Sequence, residues 1–115
     1  MNGKSFEDVE NQAAIFSVLA DPTRLKLIRL LSQQQEPTAL CVNALAYKLG
    51  VTQSAVSQHL KALKSFRLVK GERRGYRIHY FINLEAIKEA QMLINQSLPI
   101  EDKINYKTQA GEKET

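Results

Sequence analysis

Hydrophobic positions recur at helical spacing along most of the chain and change to strict alternation in one short stretch. Phe6, Val9, Ala13, Phe16 and Ala20 make one stripe at three- and four-residue spacing, widened by Ile15, Val18 and Leu19. This predicts a helix from about Ser5, which can cap it, to Leu19. It carries more apolar surface than one core-facing side needs, and the surplus points to a subunit contact. Asp21-Pro22 stops that helix and starts another, with Asp as N-cap and Pro at the first helical position. Leu25, Ile28 and Leu31, with Leu27 and Leu30 beside them, carry the second helix to about Ser32. The polar run from Gln33 to Thr38, which contains Pro37, reads as a loop.

A third, short helix spans about Val42 to Leu49, with Leu45 and Leu49 inward and Ala44 and Ala46 small enough for close packing. Gly50 stands where a left-handed C-terminal cap belongs. Thr52 can then cap a fourth helix, which ends near Ser65-Phe66. On a wheel of about 100° per residue, Val56, Leu60 and Leu63 fall on one side of it and Ser54, Ser57, Gln58 and Lys61 on the other. Leu68, Val69 and Lys70 suggest a short strand, and Glu72 to Gly75 a turn. Tyr76, Ile78, Tyr80 and Ile82 alternate with Arg77, His79 and Phe81, which is strand periodicity. The result is a β-hairpin with an arginine tip. A last helix runs from about Leu84 to Ser97, with Ile87, Ala90, Met92, Leu93 and Ile94 apolar, and Pro99 ends it. Residues 101–115 are polar, charge-mixed and aperiodic, as expected of a disordered tail.

The pattern is therefore mainly α with a small β-hairpin, in the order α1-α2-α3-α4-β1-β2-α5, over one domain of residues 1–100. A short helix, a glycine turn, a second helix with a polar outer face and a basic hairpin make a winged helix-turn-helix. A chain of 115 residues has no room for two independent cores.

Charge sharpens the picture more than composition does. The segment from Lys61 to Arg77 holds Lys61, Lys64, Arg67, Lys70, Arg73, Arg74 and Arg77 against a single acid, Glu72. That is +6 within a chain of net charge +4, so the rest sums to −2. A basic patch that follows the polar-faced helix, on an otherwise slightly acidic chain, points to a polyanion. Ser and Gln can donate to and accept from base edges, and Lys and Arg reach phosphate. Ser54, Ser57 and Gln58 are accordingly candidate base contacts, Gln53 a base or phosphate contact, and Lys61 and Lys64 phosphate contacts. Arg73 and Arg74 at the hairpin tip, with Arg77, suit the negative potential of a minor groove. The ordinary alternative is a solvated helix face beside an exposed hairpin, in which basic residues would more often be interleaved with acids.

In this order and spacing the motifs resemble the ArsR/SmtB family of repressors over roughly residues 10–97. Ala20-Asp-Pro-Thr-Arg-Leu25 resembles the family's entry to its second helix, and Gln53-Ser-Ala-Val-Ser-Gln-His-Leu-Lys-Ala-Leu63 its recognition helix. Leu68-Val69, Arg73-Arg74-Gly75 and the Tyr80 strand resemble its wing. Leu40-Cys-Val-Asn-Ala-Leu-Ala46 resembles the helix that in metal-sensing members reads Leu-Cys-Val-Cys-Asp-Leu. The resemblance implies a homodimer joined by its first and last helices, here residues 6–20 and 84–97. It also implies a two-fold symmetric double-stranded operator read by two recognition helices, and release when an effector binds.

The departures concern metals. A soft-metal site needs two or three thiolates. Cys41 is the only cysteine, Asn43 stands at the second position and Ala44 at the acid. The zinc site of the family's last helix needs Asp and His, and residues 83–91 contain no His. One cysteine also excludes a disulfide switch within a subunit. No metal and no cofactor is therefore expected, and the effector is not identified by the residues. His59 and His79 read as partly buried, hydrogen-bonded histidines rather than ligands. Cys41, near the N-cap of the third helix, is a candidate thiol sensor because the helix dipole lowers a thiol pKa; the plainer reading is a small half-buried residue.

The expectation is a DNA-binding transcriptional regulator, a dimeric repressor. The alternative is a winged-helix protein-interaction module without sequence-specific DNA binding, which has no need of this charge asymmetry. No Ser/His/Asp set, paired-carboxylate cleft or Gly-rich phosphate loop suggests an enzyme. The lone cysteine, the absence of an apolar run near 18 residues and the lack of a signal-peptide pattern suggest the cytoplasm.

Overall fold

A computed structural model of the chain describes residue 6, residues 8–34 and residues 40–100. The expected cap at Ser5, most of the loop before Leu40 and the expected tail lie outside the described residues. The elements are α1 (Val9–Leu19), α2 (Pro22–Gln33), β1 (Leu40–Cys41), α3 (Val42–Leu49), α4 (Gln53–Ser65), β2 (Val69–Arg74), β3 (Arg77–Ile82) and α5 (Leu84–Ser97).

Local chemistry fixes the helix ends. Asp21 Oδ1 accepts the Arg24 amide at 3.1 Å with Pro22 at the first helical position, and Thr52 Oγ1 accepts the Ala55 amide at 3.0 Å. Asn83 does the same for Ala86, opening α5. Each satisfies an amide that the first turn leaves without an intrahelical partner. Gly50, at φ 69°, closes α3: its amide reaches Tyr47 O and the Val51 amide reaches Ala46 O at 3.2 Å, a Schellman turn.

The core joins all the helices and the start of the wing. Leu27, Leu45, Val56 and Leu63 are fully buried, with Leu60, Leu68 and Val69 next to them and Ile15, Val18, Leu31, Ala86 and Ala90 closing it. α1 packs on α5, α3 on α4, and α2 on β3 and α4. One expected core residue is on the wrong side. Leu25 is exposed, because the axis of α2's stripe runs through Leu27 and Leu31, a spacing of four, and carries Leu25 about 160° away from Leu27.

The sheet holds more than the expected hairpin. Its order is β1-β3-β2, all antiparallel, with Leu40 opposite Tyr80 and Cys41 opposite His79. A two-residue strand has no periodicity to read, and its existence depends on β3 offering a free edge. Gln34 helps to hold it there: its side-chain Nε2 donates to Tyr80 O at 2.6 Å, and its Oε1 accepts the Leu40 amide at 2.9 Å. A polar residue assigned to a loop thus bridges the end of α2 to two strands.

Candidate nucleic-acid interface

α4 separates its two faces completely. Val56, Leu60 and Leu63 are buried, while Gln53, Ser54, Ser57, Gln58, Lys61 and Lys64 are all exposed. The expected contact residues therefore share one outward surface, uncharged at its N-terminal end and basic toward the other. α4 ends in strain. Arg67 takes a left-handed conformation, φ 60°, where its amide reaches Lys64 O and the next amide, of Leu68, reaches Leu63 O. Glycine would adopt that conformation without steric cost.

The side of α4 toward the first two helices is tied by a polar clamp. Arg24 Nε donates to His59 Nδ1 at 3.1 Å, and Arg24 Nη1 donates to the Val18 carbonyl at 3.2 Å. Asp21 Oδ1 lies 4.0 Å from the same His59 nitrogen. The Asp21 carboxyl is held below its ordinary pKa, chiefly by the Arg24 backbone amide. His59 thus has the hydrogen-bonded, partly buried place expected of it. Arg24 was not anticipated: it stands at the third helical position, where Glu or Gln would complete a capping box, and nothing in its spacing indicates a partner 35 residues away.

The wing departs from the expected tip. β2 continues through Arg74, so the turn is only Gly75-Tyr76, with Gly75 at φ 68°. Arg73 and Arg74 are strand residues rather than turn residues, and strand alternation sends them to opposite faces. Arg74 pairs across the ladder with Arg77, and Arg73 with Ile78. Arg73 is exposed. Arg74 is half-buried, bonded to Glu72 Oε1 at 3.2 Å, with its guanidinium 5.0 Å from the Phe81 ring centre. Gly71 lets the strands approach: a Cβ there would lie 2.9 Å from Ile78 Cγ2.

Arg77 turns partly away from the wing tip. Its Nη1 donates to Cys41 Sγ at 3.7 Å, and its guanidinium lies 5.8 Å from the Tyr76 ring. Cys41 is the N-cap residue of α3. Its thiol is held below the ordinary value, first by the Ala44 amide in the open first turn and then by Arg77, against partial burial, which raises it. These residues border an open cavity of about 280 Å³ shared with Val42, Asn43 and Tyr80. Tyr47 and Tyr76 are almost wholly exposed, at 89% and 86%; Tyr76, expected in the apolar alternation of the strand, lies in the turn before it instead.

His79 Nδ1 is buried and has no hydrogen-bond partner among the described residues, unlike the bonded histidine expected there. Among the described residues no group of three or more His, Cys, Asp or Glu side chains converges. No helix among them is long and apolar enough to cross a membrane.

The profile of the bacterial regulatory protein arsR family matches residues 21–70, from the cap of α2 into β2. The chain is 43% identical over 76 residues to the transcriptional repressor SmtB homolog of Synechocystis sp., a match covering 66% of this chain and 54% of that protein. It therefore spans about half the length of that relative. It is 33% identical over 90 residues to an uncharacterized HTH-type transcriptional regulator of Methanocaldococcus jannaschii, covering 78% of this chain and 98% of that one. Among solved structures, the homodimeric winged helix-turn-helix DNA-binding domain Mb0332 of Mycobacterium bovis superposes with a TM-score of 0.63 at 26% identity, covering 81% of this chain and 83% of that one.

Proposed function

Because the chain belongs to the arsR family of bacterial regulatory proteins, we propose that it is a transcriptional repressor that binds a two-fold symmetric, double-stranded operator as a homodimer in the cytoplasm. The observation that carries this is α4: a helix with one wholly buried apolar face presents Gln53, Ser54, Ser57, Gln58, Lys61 and Lys64 together to solvent. Such a helix enters a major groove N-terminus first, with Ser54, Ser57 and Gln58 at base edges and the lysines on phosphate. Arg73 extends the basic surface along the wing. Arg74 and Arg77 reach DNA by exchanging their contacts with Glu72 and Cys41 for phosphate or the minor groove. α1 and α5 supply the subunit contact.

Regulation by the family's soft metals does not fit the side chains present, since Cys41 has no second thiolate beside it. Cys41 as a thiol sensor is supported by the helix start and by Arg77. An interaction module without DNA binding has no observation in its favour here, because nothing in such a role requires the uncharged Ser/Gln face.

The test is selection of bound duplexes from a random-sequence pool. A symmetric sequence with half-sites about one helical turn apart is expected, and a pool that stays random after repeated rounds refutes the proposal. On the selected duplex, Ser57→Ala weakens binding by roughly 1–3 kcal/mol and leaves binding to random DNA nearly intact. Arg74→Ala weakens both and makes the salt dependence shallower.

A further inference from the structure

The buried face of α4 fixes how deep the helix sits but not how it is turned. Val56, Leu60 and Leu63 are aliphatic, and aliphatic packing tolerates a few degrees of rotation that a hydrogen bond to a base edge does not. A directional contact on the flank of α4 could set that rotation. Only one side-chain bond among the described residues links α4 to another helix, the bond from Arg24 Nε to His59 Nδ1. His59 lies between exposed Gln58 and buried Leu60, on the border of the two faces. Arg24 is itself fixed in three places: its amide on Asp21 Oδ1, its Nη1 on the Val18 carbonyl and its Nε on His59. A planar fork of donors can serve two acceptors on different helices at once, and a lysine ammonium on a flexible stem cannot hold them in fixed relation.

We propose that Arg24 and His59 are positioning residues that set the rotation of α4 for base contact and tie it to the C-terminal end of α1. The inference rests on the reading of α4 as the DNA-contacting helix. It adds a direction of coupling. Val18 belongs to α1, whose exposed Val9 and Phe16 belong to the proposed subunit contact, so a shift of α1 in the dimer reaches the base-contacting face through a single guanidinium. His59 takes part with Nδ1 unprotonated, as an acceptor.

The experiment uses the full chain as wild type, His59→Leu, Arg24→Lys, the double variant and His59→Gln, whose Oε1 can accept the same N–H. Each is titrated with the selected duplex and with a scrambled duplex of equal length, and amide exchange is followed in the free proteins. His59→Leu and Arg24→Lys each lose roughly tenfold to hundredfold in affinity for the selected duplex and under about threefold for the scrambled one. The double variant is no worse than either single one, and His59→Gln recovers most of the loss. Amides of residues 53–65 exchange faster in His59→Leu, and those of α2 do not. Retained selectivity in both single variants overturns the proposal. So do equal losses on both duplexes, which would mean general unfolding, and a His59→Gln variant no better than His59→Leu. If the wild type itself shows no sequence preference, the DNA reading fails instead, and the exchange arm then decides: unchanged rates along residues 53–65 overturn the clamp.

Discussion

Two residues carry consequences out of proportion to their size. Cys41 sits where the Ala44 amide and the Arg77 guanidinium both favour its thiolate. A thiol pKa lowered from the ordinary value means the reactive anion is present at lower pH. Alkylation by iodoacetamide should therefore reach half its maximal rate below the roughly pH 8.5 of a free cysteine. Arg77→Ala should move that midpoint upward without restoring it fully, since the Ala44 amide remains. A profile that coincides with free cysteine in the wild type would remove the basis for any sensing role. Arg67 poses the opposite question, why an arginine occupies a left-handed position. Arg67→Gly should raise stability by about 1 kcal/mol through relief of that strain, read as an upward shift of the denaturation midpoint. The same variant should bind DNA less tightly, because Arg67 belongs to the basic run and is exposed. A gain in stability with unchanged DNA affinity would leave the strained arginine unexplained.

At the scale of elements, the turn of the helix-turn-helix is fixed by the residues that end α3 and begin α4. Gly50 supplies a conformation that other residues adopt only with strain, and the Thr52 hydroxyl supplies an acceptor two residues later. Thr52→Ala should cost about 1 kcal/mol and Thr52→Ser little. Gly50→Ala should cost at least as much, by the left-handed penalty of about 1–2 kcal/mol. Chemical denaturation measures all three, and if Gly50→Ala were neutral the Schellman turn would not be what ends α3. The wing shows how an element can be legible in kind and misjudged in extent. Alternation in residues 76–82 and the glycine at 75 are plain in the sequence. Yet Glu72, Arg73 and Arg74, which look like turn residues, are strand residues because β3 pairs with them rung by rung up to Arg77.

For the whole molecule, the apolar surface left exposed among the described residues is the informative quantity. Phe6, Val9 and Phe16 on one side, and Leu84, Met92 and Leu98 on the other, are 40–70% exposed, and they lie on or beside α1 and α5, which pack together. Sedimentation should give about twice 13.0 kDa. Met92→Glu should shift the species toward the monomer mass and weaken operator binding, since a monomer engages one half-site. The metal question belongs to this scale too, because shared sites form between subunits. Cys41 and His79 stand opposite each other in the sheet, but His59 is held elsewhere by Arg24, and among the described residues no third such side chain joins the first two. One equivalent of Zn²⁺, Cd²⁺ or arsenite per subunit should leave the protein on its selected duplex, followed by anisotropy of the labelled DNA; release would mean that carboxylates assemble a site across the proposed dimer.

The sequence by itself determined the helices, the caps at Asp21 and Thr52, the glycine turn and the segregation of α4 into apolar and polar faces. All of these follow from spacing within a few residues, where backbone geometry dictates which side chains are neighbours. Only the tertiary structure decided that Arg24 bonds His59, that Gln34 bridges α2 to the sheet, that Leu40-Cys41 pairs with β3, that Leu25 faces solvent and that Arg77 turns to Cys41. Those contacts join residues far apart in the chain, or depend on which of two half-apolar faces the rest of the fold covers. Local propensity and periodicity carry no information about either.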